Sequence, residues 1–225
     1  MDKPSLDEEL KLWSAGFTRI AGLDEAGRGA WAGPVVAGAV VLPADAAIAQ
    51  RLEGVADSKQ VPKAKREALY GTIMQEAAAV GVGVVHAVRI DAVGIVAATR
   101  QAMQQAIQQL LLPPDFLLID YLRLPYLATP QRALTKGDCR VLSIAAASIV
   151  AKVTRDRLMV ELAGRYHQYG FERNKGYGTA VHSLALAHHG PCAEHRRSFE
   201  PVRGRQPRLF PGEIGERGVH QEESP

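Results

Sequence analysis

Arg19-Ile20-Ala21-Gly22-Leu23-Asp24-Glu25-Ala26-Gly27-Arg28-Gly29-Ala30-Trp31-Ala32-Gly33-Pro34 is the stretch whose reading decides the fold. Arg19 to Asp24 is a short apolar run that reads as a strand, and it ends in two acids. Gly33 to Pro43 is a second run, rich in Val and bounded by prolines, which reads as a buried strand. The segment between them is too short for a helix, so the pair is expected to form a hairpin. Gly27, Gly29 and Gly33 give G-x-G-x-x-x-G, one residue too long for a dinucleotide fingerprint, and a Val run replaces the helix that should follow. The glycines instead let backbone amides approach a ribose 2′-OH or a phosphate closely.

Outward from this hairpin, helical spacing is expected over Lys63 to Ala78, Val93 to Leu112, Val141 to Tyr166 and Thr179 to His189. Ala79 to Arg89, Asp115 to Asp120 and Gln131 to Lys136 read as further strands. The order is strands first, then alternating helix and strand, then helices. That predicts an α/β or α+β layer protein with helices covering a mixed sheet, and α/β is the class adopted. Residues 1–18 form a lead-in segment, 19–200 the body with its C-terminal helices, and 201–225 a loose tail rich in Gly, Pro and charge.

Two later apolar features also lead to an aspartate: Asp120 closes one strand, and Asp138 stands just before the longest helix. The carboxyl ends of strands are the usual location of a site in such sheets. Hard divalent ions such as Mg²⁺ or Mn²⁺ want oxygen ligands, and two of them about 3.5–4 Å apart can drive phosphodiester hydrolysis. Each acid alone is explained as well by a turn or a helix cap. Jointly that reading leaves Asp24-Glu25 at an apolar strand end unexplained. Adjacent strand residues point to opposite faces, so the two acids share one site only if the strand ends there, or if Glu25 offers its backbone carbonyl.

The net charge of +3 conceals an asymmetry: residues 131–210 carry 14 Lys/Arg against 6 Asp/Glu, and residues 1–130 carry 12 against 14. A basic second half beside an acid-bearing first half suits a polyanion held over metal. No apolar stretch is long enough to span a bilayer, and the N-terminus lacks a signal-peptide core. Cys139 and Cys192, the only two cysteines, argue for a reducing cytoplasm rather than a disulfide framework.

The blocks GLDEAGRGAWAGPVVAGAVVLP, DSKQ, LLID, TKGD, SIAAASIVAKVTRDRLM, NKGYGT and HRRSF, in this order between Ile20 and Val202, resemble bacterial ribonuclease HII. The resemblance implies a ribonuclease H-like fold, with a mixed five-stranded sheet flanked by helices and a C-terminal helical extension. It implies an endonuclease that cuts the RNA strand of RNA/DNA hybrids and incises at ribonucleotides embedded in duplex DNA, using Mg²⁺ or Mn²⁺, two ions at the active site. Asp24, Glu25, Asp120 and Asp138 match the family's four catalytic, metal-binding acids. Gly27, Arg28 and Gly29 match its ribose-sensing turn, and Tyr177 matches the tyrosine that packs on the following deoxynucleotide. The chain departs from the family pattern at Tyr121, where glycine is usual, at Gly94, where asparagine is common, and at Gln60-Val61-Pro62 after DSK. Ribonuclease HIII is disfavoured because that sister family carries an extra N-terminal domain.

Ser148, Lys152 and Arg155 share one face of the longest helix, and with Arg28, Lys59 and Lys175 they are candidates for phosphate contacts or simply a solvated face. His182, His188, His189 and His195 lack the spacing of a one-face zinc pair and read as ordinary histidines. Cys139 reads as structural. Gln206, Leu209 and Phe210 resemble a sliding-clamp docking peptide. The whole reads as a cytoplasmic monomer with no membrane contact. Two alternatives remain open: a related nuclease such as a junction resolvase or integrase, and a nucleic-acid-binding module without catalysis.

Overall fold

The computed structural model describes residues 3–56, 58 and 61–204. Its centre is the expected mixed sheet of five strands, β1 (Ile20–Ala26), β2 (Val35–Val41), β3 (Ala79–Val85), β4 (Phe116–Asp120) and β5 (Gln131–Leu134), in the order β3-β2-β1-β4-β5. The meander β1-β2-β3 is antiparallel; β4 pairs in parallel with β1 after a helical crossover, and β5 pairs in parallel with β4 after the helix-free loop of residues 121–130. The hairpin of β1 and β2 is therefore as the sequence predicts.

Around the sheet lie α1 (Asp7–Ser14), α2 (Ile48–Arg51), α3 (Lys63–Glu76), α4 (Ala87–Val93), α5 (Ile95–Gln108), α6 (Leu142–Arg165), α7 (Phe171–Asn174) and α8 (Ala180–His189). α5 ends at Gln108, four residues short of the expected Leu112, and one boundary differs in kind. β3 stops at Val85, and residues expected to extend it form α4, which Gly94 at φ +78° separates from α5. The pattern of apolar residues runs on through this point, but the backbone turns there.

Strand alternation assigns the two faces. Ala21, Leu23, Leu117 and Ile119 pack towards α5, together with Ala102, Met103 and Ala106. The opposite face carries α3 and α6, with Ile73, Ala146, Ile149 and Val150 in the core. Two strand glycines let α6 lie close to the sheet: a Cβ on Gly22 would stand 2.2 Å from the Ser143 carbonyl carbon, and one on Gly38 would stand 2.5 Å from Ala147 O. Any side chain there would push the helix away.

The lead-in segment is tied to the start of α6. Ser5 forms a parallel bridge with Val141, and Leu142 N–H donates to Ser5 O at 2.9 Å. α6 has no cap from its own sequence; Glu9 of α1, 1% exposed, accepts the Ser143 N–H at 2.8 Å instead. A carboxylate at a helix N-terminus satisfies an orphan donor and opposes the helix dipole.

Candidate active site

The acids fall where strand geometry sends them. Leu23 of β1 is in register with Ile119 of β4, so Asp24 and Asp120 follow side by side at the ends of neighbouring parallel strands. Both succeed residues of the α6 face (Gly22 and Leu118), so period two turns both towards α6. Asp138 joins them from a short 3-10 turn, Gly137–Cys139, whose Gly137 N–H donates to Asp120 Oδ1 at 2.7 Å. Asp24, Asp120 and Asp138 each bring a carboxylate oxygen within 4.8 Å of the others.

Glu25 is set apart from this cluster. β1 continues through both acids to Ala26, so the side chains of Asp24 and Glu25 leave on opposite faces. Glu25 Oε1 instead accepts from Arg28 Nη1 at 3.0 Å, on the wall of the same cleft. Asp24 is 5% exposed; burial first, then the charges of Glu25 and Asp120, push its carboxyl well above the usual range. Such crowding of like charge out of water is costly unless a cation or a proton compensates it.

Above the acids lies a cleft of about 950 Å³, lined among others by Gly27, Arg28, Gly29, Asp120, Asp138, Ser148, Lys152 and Tyr177. Ser148 Oγ bonds Ser58 Oγ at 2.9 Å, and Lys152 Nζ donates to Asp156 Oδ1 at 2.7 Å. Tyr177 is 37% exposed, with the Arg155 guanidinium 5.3 Å from its ring centroid and Lys152 Nζ at 5.8 Å.

Two of the expected phosphate-contact residues are placed otherwise. Arg155 is 0% exposed and donates from Nε to Pro34 O (2.9 Å) and from Nη2 to Ala32 O (3.2 Å). It holds the glycine turn from beneath and is sealed from the cleft by its burial, which corrects its reading as a direct substrate contact. Lys175 donates to the Glu172 carbonyl and lines a separate cavity beside Asp156 and Arg157. Lys59 lies outside the described residues, as do Gln206, Leu209 and Phe210.

Residues that spacing alone does not single out complete the frame. Arg196, also 0% exposed, donates from Nε to Gly33 O (3.0 Å) and from Nη1 to Arg28 O (2.8 Å). In a trans peptide the carbonyl and the next N–H point in opposite directions. Drawing the Arg28 carbonyl inwards therefore turns the Gly29 N–H outwards, towards the cleft. Arg66 secures the neighbouring loop by donating to Ser58 O (2.6 Å) and Val61 O (2.7 Å).

The family model for ribonuclease HII matches residues 21–202. The chain belongs to the ribonuclease HII family. It is 54% identical over 200 residues to the ribonuclease HII of Chloroflexus aurantiacus, covering 88% of this chain and 94% of that one. Among solved structures, the ribonuclease H2 of Pyrococcus horikoshii OT3 is similar at a TM-score of 0.69 and 28% identity, over 82% of this chain and 95% of that chain. The structure of the PCNA:RNase HII complex from Archaeoglobus fulgidus is similar at 0.68 and 26%, over 81% and 95%. As a ribonuclease HII the chain is a metal-dependent hydrolase, an endoribonuclease of the type 2 ribonuclease H class that uses Mg²⁺ or Mn²⁺. The donor set fits such an ion: three carboxylates, all hard oxygen donors, converge where Asp24 has been stripped of water. No helix among the described residues is long and apolar enough to cross a membrane.

Proposed function

We propose that this ribonuclease HII incises duplex DNA 5′ of an embedded ribonucleotide, as well as the RNA strand of longer hybrids, leaving 3′-hydroxyl and 5′-phosphate ends. The observation that carries the reading is the convergence of Asp24, Asp120 and Asp138 beneath a cleft whose walls present Gly27-Arg28-Gly29 and Tyr177. Asp24, Asp120 and Asp138 would hold the metal, with Glu25 as a fourth acid beside it. When bound, Mg²⁺ or Mn²⁺ supplies Lewis acidity, easing deprotonation of water and offsetting charge on the leaving oxygen.

The remaining work belongs to the chain. The Gly29 amide faces the cleft and can meet a ribose 2′-OH, the group that distinguishes RNA from DNA. Tyr177 offers an aromatic face on which a nucleotide can stack. Arg28 and Lys152 place positive charge along the backbone path of the substrate, and Ser148 adds a hydroxyl. Arg155 and Arg196 keep the turn in place from behind.

A duplex carrying one ribonucleotide, supplied with Mg²⁺ and Mn²⁺ in separate reactions, tests this. The expected product is a single cut at the phosphate 5′ of the ribonucleotide. An intact duplex, or cleavage of an all-DNA junction instead, would overturn the reading.

For the tail, docking on a sliding clamp through Gln206, Leu209 and Phe210 is supported by the pattern itself. A relative of known structure was solved as a PCNA:RNase HII complex. Leu209→Ala with Phe210→Ala should abolish retention on immobilised clamp while leaving cleavage of the short duplex intact; unchanged retention rejects the idea. The enzyme is read as cytoplasmic, a view supported by Cys139 and Cys192 standing outside any disulfide.

A further inference from the structure

Two buried histidines that the reaction does not use lie directly behind Tyr177. His182 and His195 are 0% and 1% exposed and pack among Trp31, Tyr169 and Phe171. Their nitrogens form one line: Cys192 N to His195 Nδ1 (3.1 Å), His195 Nε2 to His182 Nε2 (3.0 Å), and His182 Nδ1 to Tyr177 O (2.9 Å). The tautomers follow from the ends. A backbone N–H can only donate, so His195 Nδ1 accepts and its proton sits on Nε2. That proton is given to His182 Nε2, which leaves the His182 proton on Nδ1, directed at the Tyr177 carbonyl. Burial depresses both imidazoles, His195 to about 3, so the chain stays neutral.

The far end of this line is the segment that holds the glycine turn. His195 bridges to Ala32, and Arg196 grips Arg28 O and Gly33 O. The ribose-facing turn and the stacking tyrosine are thus braced against one short stretch of chain.

We propose that His182, backed by His195, is a positioning residue for Tyr177, fixing the peptide that follows it and hence the ring over the cleft. This rests on the reading of Tyr177 as a substrate contact. His182→Asn keeps a donor where Nδ1 stands; His182→Phe keeps the ring but neither bond; His182→Gln keeps the link to His195 and withdraws the donor from Tyr177.

Steady-state cleavage of the single-ribonucleotide duplex in Mg²⁺ is to be measured for these variants, for Tyr177→Ala, and for the doubles. His182→Phe should raise KM by roughly tenfold with kcat within about twofold, the scale of one lost hydrogen bond. His182→Asn should stay near the parent, and in the Tyr177→Ala background His182→Phe should add nothing. Should His182→Phe not fold, His182→Gln carries the same expectation. An Asn variant no better than Phe or Gln, or a full additional loss in the Tyr177→Ala background, overturns the positioning role alone. An unchanged KM for Tyr177→Ala overturns the substrate-contact reading instead.

Discussion

Asp24 shows how one side chain can be placed for chemistry at the expense of stability. Its carboxyl is buried beside Glu25 and Asp120, so a neutral amide should relieve repulsion while removing a metal ligand. Asp24→Asn is expected to lower cleavage by about 10²-fold or more, with a thermal midpoint equal to or above the parent. Asp120→Asn should likewise abolish cleavage with hybrid binding retained, read by gel shift beside circular dichroism; a lost fold would mark the acid as structural. The next residue carries the opposite lesson. Tyr121 has φ +58°, in the left-handed region where a side chain costs about 1–2 kcal/mol, which gives a physical reason for the glycine usual there in the family. Tyr121→Gly should raise the urea midpoint if the cleft tolerates the loss of a largely exposed ring. At this scale the aspartates were legible as acids closing apolar runs. The separation of Asp24 from Glu25 was not, because it depends on β1 running two residues past Asp24, the expected end of the strand, to Ala26. Nor was the depth of Arg155, since helical spacing gives a face but not what lies against it.

Among the elements, α6 carries the most. It packs on β1 and β2 through Gly22 and Gly38, and it presents Ser148 and Lys152 to the cleft. Gly38→Ala would set a methyl against the Ala147 carbonyl, which is backbone and cannot rotate away. A loss of about 1–3 kcal/mol in denaturant unfolding is expected, with activity falling as the helix is displaced from the acids. Gly27→Ala should destabilise for a similar reason, since its φ is +92° and its Cβ would fall 1.9 Å from Arg155 Nε, whereas Gly29 has open space around it. Equal denaturation midpoints for Gly27→Ala and Gly29→Ala would contradict this. The helices and strands themselves were legible from period and length, with α3, α6 and α8 found to within two residues of their expected ends. α4 was not, because a Val- and Ala-rich segment suits strand and short helix equally until Gly94 turns the chain.

For the molecule as a whole, the two buried imidazoles make stability depend on pH in a predictable direction. His195 is held at about 3 when folded, against 6.5 in the unfolded chain, and His182 is depressed in the same sense. Below pH 6.5 the unfolded state takes up protons that the folded state refuses, so stability is full above that pH and declines as pH falls towards 3. Urea midpoints between pH 7.5 and 5 should therefore drop, and His195→Gln should flatten that slope; an unchanged slope would mean the histidines are not responsible. The mixed sheet and its helical cover were legible because each strand is a compact apolar run between turn residues. The role of residues 192–196 was not, because what they do is receive and donate bonds across 160 or so residues of chain, from Arg196 to Arg28 and Gly33.

That last linkage has a temporal side. Synthesis is vectorial, and domains settle as their parts emerge. All four acids leave the ribosome well before Arg196 does, so a nascent chain has its carboxylates early but lacks the brace behind its ribose-facing turn. The nuclease is completed only when Arg196 arrives, after the sheet and all four acids have already emerged.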